Sequence, residues 1–131
     1  MAVPDIGERV RLAVTLGTPH RGSKLAALAL GGLGRSLLPA SPLLARLDSL
    51  PDPPGAARYA LVSPLDNMVI PLDGLRIDRP GWTTEVTVPV SHIAMLYHPA
   101  IVARVAALAG AEVRRTECPP TRGCPASDGA A

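Results

Sequence analysis

The sequence predicts an α/β domain of about three parallel strands with flanking helices. Three observations predict it. Apolar runs of strand length, at residues 11–16, 58–62 and 84–90, are rich in β-branched and aliphatic residues, and the first is nearly continuous, as in parallel strands covered on both faces. Segments with helical spacing lie between and after them. Pro- and Gly-rich stretches at 17–22 and 51–55 punctuate the chain. Alternation of this kind argues for one sheet joined by right-handed crossovers.

Taken in order, Arg11-Leu12-Ala13-Val14-Thr15-Leu16 is the first strand, ended by Gly17-Thr18-Pro19-His20-Arg21-Gly22. Ser23 then stands as the N-cap of a helix over 24–30, its hydroxyl accepting from free N–H groups of the first turn. Gly31, Gly32 and Gly34 are expected to end that helix. Ser41-Pro42 opens a second helix by the same logic, with Pro at the first helical position. Leu43, Leu44, Leu47 and Leu50 give it one apolar face. Residues 58–62 and 84–90 are the second and third strands. The last helix spans 99–108, with Ile101, Val102, Val105 and Leu108 on one side. The folded domain is expected over residues 1–112, and the Pro/Gly/Ala-rich stretch 113–131 as a disordered tail.

A chain of 131 residues suits one small domain and is too short for two. Apolar residues make up 47 %, enough to fold, but there is no Phe and only one Trp, so the core must be aliphatic. The net charge of +2 is small and scattered, and Lys24 is the only lysine beside twelve arginines. No basic cluster lies on a helix face or alternates with aromatics, so nucleic acid is not an expected partner. The N-terminus has neither a basic start nor an apolar stretch, so no signal peptide is read and the chain as written is expected to be cytoplasmic. The apolar run 25–33 contains two glycines and is about half the ~20 residues a membrane span needs. Cys118 and Cys124 have five residues between them, which fits no C-x-x-C pattern, and are read as unpaired tail cysteines. No metal site or cofactor is expected: the three histidines do not converge with acids by spacing, and H-E-x-x-H is absent.

Two segments carry the chemistry. Ser63-Pro64-Leu65-Asp66-Asn67-Met68-Val69-Ile70-Pro71 follows the second strand, and Val90-Ser91-His92-Ile93-Ala94-Met95-Leu96 follows the third. Each places one titratable residue at the carboxyl end of a parallel strand, where ligands and catalytic groups collect in open α/β sheets. An acid followed by an imidazole is the later part of the Ser…Asp…His chain order. Taken alone, Asp66-Asn67 also reads as a turn whose side chain caps its own backbone, and His92 as a loop histidine. Asp73-Gly74, the nearest rival carboxylate, reads as an ordinary turn, and His98 before Pro99 as a surface or capping residue.

Together with Val14-Thr15-Leu16-Gly17-Thr18-Pro19-His20-Arg21-Gly22-Ser23, these segments resemble bacterial lipases and related esterases, including the inositol-deacylase-like branch of the α/β-hydrolases. The resemblance rests on T-P-H-x-G, S-P-x-D-x-x-V-x-P and V-x-H-x-x-L in that order, and covers roughly residues 10–110. It implies the C-terminal part of an α/β-hydrolase fold, ester hydrolysis, Asp66 as the triad acid and His92 as the general base. It makes the His20 loop a structural marker, with a loop-ordering hydrogen bond favoured over catalysis.

The nucleophile is missing. None of Ser23, Ser36, Ser41, Ser49, Ser63, Ser91 and Ser127 stands in G-x-S-x-G, and the expected order would put the serine before Arg11, where the first ten residues contain none. The oxyanion-hole donors tied to that segment are missing with it. Two expectations follow: a misplaced start, the full protein being an active esterase, or a true half-product without useful catalysis. A non-catalytic module that pairs through its open sheet edge with a separately made N-terminal half is the alternative. An ester or lipid would be the substrate once the site is completed. Residues 25–50, between the first two strands, are expected to supply cap helices and an apolar surface.

Overall fold

A computed structural model of the chain describes residues 9–29 and 31–117. Three strands, β1 (Leu12–Leu16), β2 (Ala57–Val62) and β3 (Trp82–Val86), form one parallel sheet in the order β1-β2-β3. Leu12 pairs with Ala57 and Leu16 with Leu61, while Arg58 pairs with Trp82 and Val62 with Val86. The α/β class expected from the strand–helix alternation is the one observed. Because all strands run the same way, the loops after β1, β2 and β3 leave from one end of the sheet.

β3 begins two residues before the expected strand and stops four residues short of its end. The ladder's last bond is Thr87 N–H to the Val62 carbonyl at 2.8 Å. Beyond it Pro64 and Pro89 have no N–H to offer, so backbone pairing cannot continue.

The long β1–β2 connection holds a 3₁₀ turn (Lys24–Leu28) and two helices, α1 (Gly32–Ser36) and α2 (Pro42–Ser49). Ser23 caps the turn as expected, accepting from Leu25 N–H at 3.3 Å. Its hydroxyl also donates to the Met68 carbonyl and accepts from Ile70 N–H. That tie to a distant loop accompanies a tight turn in place of the expected helix over 24–30. The glycines expected to stop a helix instead lie at the start of α1 and within it, with Gly34 buried. Ser41 caps α2 through Leu44 N–H at 3.3 Å, with Pro42 at the first helical position. The apolar face of α2 is only partly covered: Leu43, Leu47 and Leu50 stay 42–50 % exposed.

The last helix, α3 (Pro99–Glu117), runs nine residues past the expected end. Ile101, Val105 and Leu108 form its buried stripe, and the next position on that stripe is Glu112, 8 % exposed and bonded to Arg115 at 3.2 Å. A carboxylate in an apolar position ends the periodicity in the sequence but not the helix. Val102, assigned to the apolar side, is instead 51 % exposed. Residues 113–117 of the expected tail are therefore helical; the remainder, with Cys118 and Cys124, lies outside the described residues.

The core sits between α3 and one sheet face. Leu61, Met95, Ile101 and Leu108 are buried together, with Leu12, Val14, Leu16 and Tyr59 packed against them at the alternate positions that share a face. Each large aliphatic side chain so buried contributes about 1.5–3 kcal/mol. Among the described residues no helix is long and apolar enough to cross a membrane.

Candidate active site

Asp66 sits in the turn that follows β2. Its own N–H bonds the Ser63 carbonyl at 3.2 Å, closing the turn. Oδ1 accepts from the N–H groups of Met68 and Val69, both at 2.9 Å. Oδ2 lies 2.7 Å from Nδ1 of His92, and the Asp66 side chain is wholly withdrawn from solvent. The two sequence readings of Asp66 are thus both realised, one oxygen each: a turn cap and an imidazole partner. Two fixed amides on one oxygen leave the other little freedom to move.

His92 is brought to Asp66 from the loop after β3. The 3₁₀ turn Ile93–Leu96 follows it, and Met95, 1 % exposed, anchors that turn in the core. The His92 N–H donates to Oδ1 of Asn67 at 3.2 Å, tying one loop to the other. A carboxylate accepts only, so the shared proton belongs to Nδ1 and the Nε2 lone pair is left free. The ring is 29 % exposed, and among the described residues Nε2 has no hydrogen-bond partner. This arrangement can accept a proton at Nε2 while Asp66 holds the tautomer and offsets the charge that results.

Gly17, at the carboxyl end of β1, is the third wall of the pair. It has φ +55°, and a Cβ there would lie 2.9 Å from Asp66 Oδ2 and 3.0 Å from His92 Nδ1. The pair therefore rests on the end of β1, although its members arrive from the loops after β2 and β3. Beyond position, nothing in the local sequence marks Gly17, Ser63 and Asn67 as parts of the site. The sequence signal was their position: one residue past a strand, at the start of the acid segment, and next to the acid.

His20 is not brought into this group. Its Nε2 lies 3.0 Å from Thr15 Oγ1, and its ring meets Trp82 edge-on with centroids 5.6 Å apart. Burial pushes its pKa below the ordinary histidine value. The bond back to β1 is of the loop-ordering kind expected for it. Arg21 bonds Asp73 at 3.0 Å and also Asp78, while Arg76 lies 3.7 Å from each of those acids. Asp73 is thereby committed to a half-exposed charge cluster rather than to an imidazole. His98 bonds through its backbone to the start of α3.

A cleft of about 500 Å³ lies between the loop at 18–21, α2 and residues 76–79. Leu43, Leu44 and Leu47 form its apolar wall, and His20 and Arg21 its polar side. It begins at Thr18, the residue after the glycine that touches the Asp66–His92 pair.

Among the described residues no serine hydroxyl is hydrogen-bonded to the imidazole. Ser23, Ser36, Ser41, Ser49 and Ser63 each donate to a backbone carbonyl. No group of three or more His, Cys, Asp or Glu among those residues is placed to hold a metal. Comparison of the sequence with protein-family models gives no match, and comparison with curated proteins gives none either.

Proposed function

We propose that this chain carries the acid and the base of a carboxylic-ester hydrolase of the lipase/esterase type, whose nucleophile is supplied by residues outside this sequence. The observation that carries the reading is the 2.7 Å contact of His92 Nδ1 with a fully buried Asp66 whose other oxygen is pinned by two backbone amides. In the reaction, Nε2 of His92 takes the proton of a serine hydroxyl as its oxygen attacks the ester carbonyl. It then returns that proton to the departing alkoxide, and water releases the acyl group by the same sequence in reverse roles. Asp66 keeps the proton on Nδ1 and stabilises the imidazolium.

The outer edge of β1, unpaired among the described residues, would receive the missing strand. The pair rests on Gly17, and an added strand would lie about 4.8 Å from β1. A serine at its carboxyl end would then be close to the imidazole, with its backbone amides able to serve as oxyanion donors. The adjacent cleft is of a size that accepts small organic ligands, and its leucine wall suits the apolar part of an ester.

The test begins upstream. In-frame coding sequence ahead of Met1 should read strand, G-x-S-x-G, helix, and the extended protein should hydrolyse p-nitrophenyl esters. Asp66→Asn and His92→Ala should each then lower kcat by about 10³-fold or more. Near-full activity in either variant would mean that the pair is not the acid and base. The chain alone should show neither ester hydrolysis above background nor labelling by a fluorophosphonate. Stoichiometric labelling of a serine in it would overturn the assignment of the nucleophile to another segment.

A second reading has its own observation. β1 leaves its outer edge unpaired among the described residues, and Leu28, Leu33, Leu65, Ile93 and Tyr97 are 61–80 % exposed. These features suit an inactive module that associates through its sheet edge with a separately encoded partner. It predicts an untranslated upstream region and no gain of hydrolysis when the chain binds that partner.

A further inference from the structure

Where the β2–β3 ladder stops, one side chain takes over. Ser63 is 1 % exposed, and its Oγ donates to the Val90 carbonyl at 2.5 Å. The same oxygen accepts from Val90 N–H at 3.0 Å and from Leu65 N–H at 3.2 Å. A hydroxyl has one donor and two acceptor sites, so all three are used. Ser63 thus acts as an extra rung between the two loops, pairing with both backbone groups of Val90 as a strand residue would.

The position of that rung matters. Ser63 stands three residues before Asp66, and Val90 two residues before His92. Asn67 Oδ1 also bonds the His92 N–H. Two further cross-loop ties therefore accompany the acid–imidazole contact. The Ser63 tie is multiple and centred on a buried hydroxyl; the Asn67 tie is single and exposed.

We infer that Ser63 is a positioning residue for the Asp66–His92 pair, setting the imidazole against the carboxylate by fixing one loop on the other. This rests on reading the pair as acid and base. It goes further by naming what holds the 2.7 Å contact when the backbone ladder has already ended.

The experiment uses the chain as it is, labelled with ¹⁵N-histidine, at a pH of about 8.5 where an ordinary imidazole is neutral. Ring-nitrogen shifts report which nitrogen carries the proton. In the parent chain His92 should be the Nδ1–H tautomer, held by Asp66. The Thr15 hydroxyl donates to the Tyr59 carbonyl and so accepts from His20 Nε2, which makes His20 the Nε2–H tautomer and the internal control for an intact fold. Asp66→Asn should move most of the His92 population to Nε2–H. Ser63→Ala should do the same to at least half of it, with His20 unchanged. Ser63→Cys keeps the volume and loses the strong hydrogen bonds, so it decides the matter if the alanine variant does not fold.

The outcomes separate cleanly. Loss of the Nδ1–H tautomer in Asp66→Asn and in a folded Ser63 variant supports the inference. Loss in Asp66→Asn alone overturns the role of Ser63 and leaves the pair standing. No change in Asp66→Asn removes the pair itself, and the inference with it.

Discussion

Replacing Gly17 by alanine tests the site's least expected wall. Two penalties act there. The backbone at φ +55° is one that an L side chain occupies at a cost of about 1–2 kcal/mol. The new Cβ would also stand 2.9 Å from Asp66 Oδ2 and 3.0 Å from His92 Nδ1. Non-bonded contacts relax near about 3.5 Å, so one partner must retreat by roughly half an ångström and the 2.7 Å bond is stretched or broken. A hydrogen bond to a charged group contributes about 1.5–3 kcal/mol. Gly55 provides the control, since it has φ +74° and nothing within 4 Å of an added Cβ. The two variants share the backbone penalty and the entropic effect on the unfolded chain. Their difference isolates the contact with the pair. Gly17→Ala should be less stable than Gly55→Ala by about 2 kcal/mol in urea denaturation, or roughly 10 °C in Tm for a domain of this size. Equal destabilisation by the two substitutions would refute the placement of the pair on the end of β1.

Two further predictions concern stability. Burial lowers the pKa of His20, so below the ordinary histidine value the unfolded chain binds more protons than the folded one. The His20 contribution should be fully present above about pH 6.5 and decline as the pH falls from there toward the depressed folded value. Urea titrations across that window should show a shallower loss in His20→Gln than in the parent chain; an identical slope would mean that His20 is not buried against Trp82. Glu112→Leu should stabilise the fold by about 1 kcal/mol, because an apolar side chain there extends the stripe of Ile101, Val105 and Leu108 and gains more than the Arg115 pair gives up. A lowered Tm would show that the carboxylate is needed where it lies.

Much of this architecture was legible because the relevant signals are local. Residues 11–16 and 58–62 are apolar runs bounded by Gly and Pro, and they became β1 and β2 within a residue. The caps Ser23 and Ser41 also announced themselves, since a hydroxyl before a helical turn satisfies free N–H groups wherever it occurs. Asp66 and His92 were legible as a pair because each follows a parallel strand, and such strands end on one edge. What the sequence hid were effects between distant residues. Glu112 disguised nine residues of helix because its burial depends on Arg115 and on the sheet. The helix expected over 24–30 gave way to a tight turn where Ser23 shares its oxygen with Met68 and Ile70. Asn67 reads as part of a turn with Asp66, and Ser63 as the plain start of the acid segment, since nothing local shows that their oxygens reach the neighbouring loop.

The lone tryptophan has a use that its packing provides without design. Trp82 meets the His20 ring edge-on at 5.6 Å and donates through Nε1 to Asp52 at 3.1 Å. Protonated imidazole quenches indole emission at such range, and neutral imidazole does so far less. The fluorescence of the native chain therefore reads out the charge on one histidine and the seating of the loop after β1. With a single tryptophan, a partner or substrate that moves that loop should change the indole emission without a label.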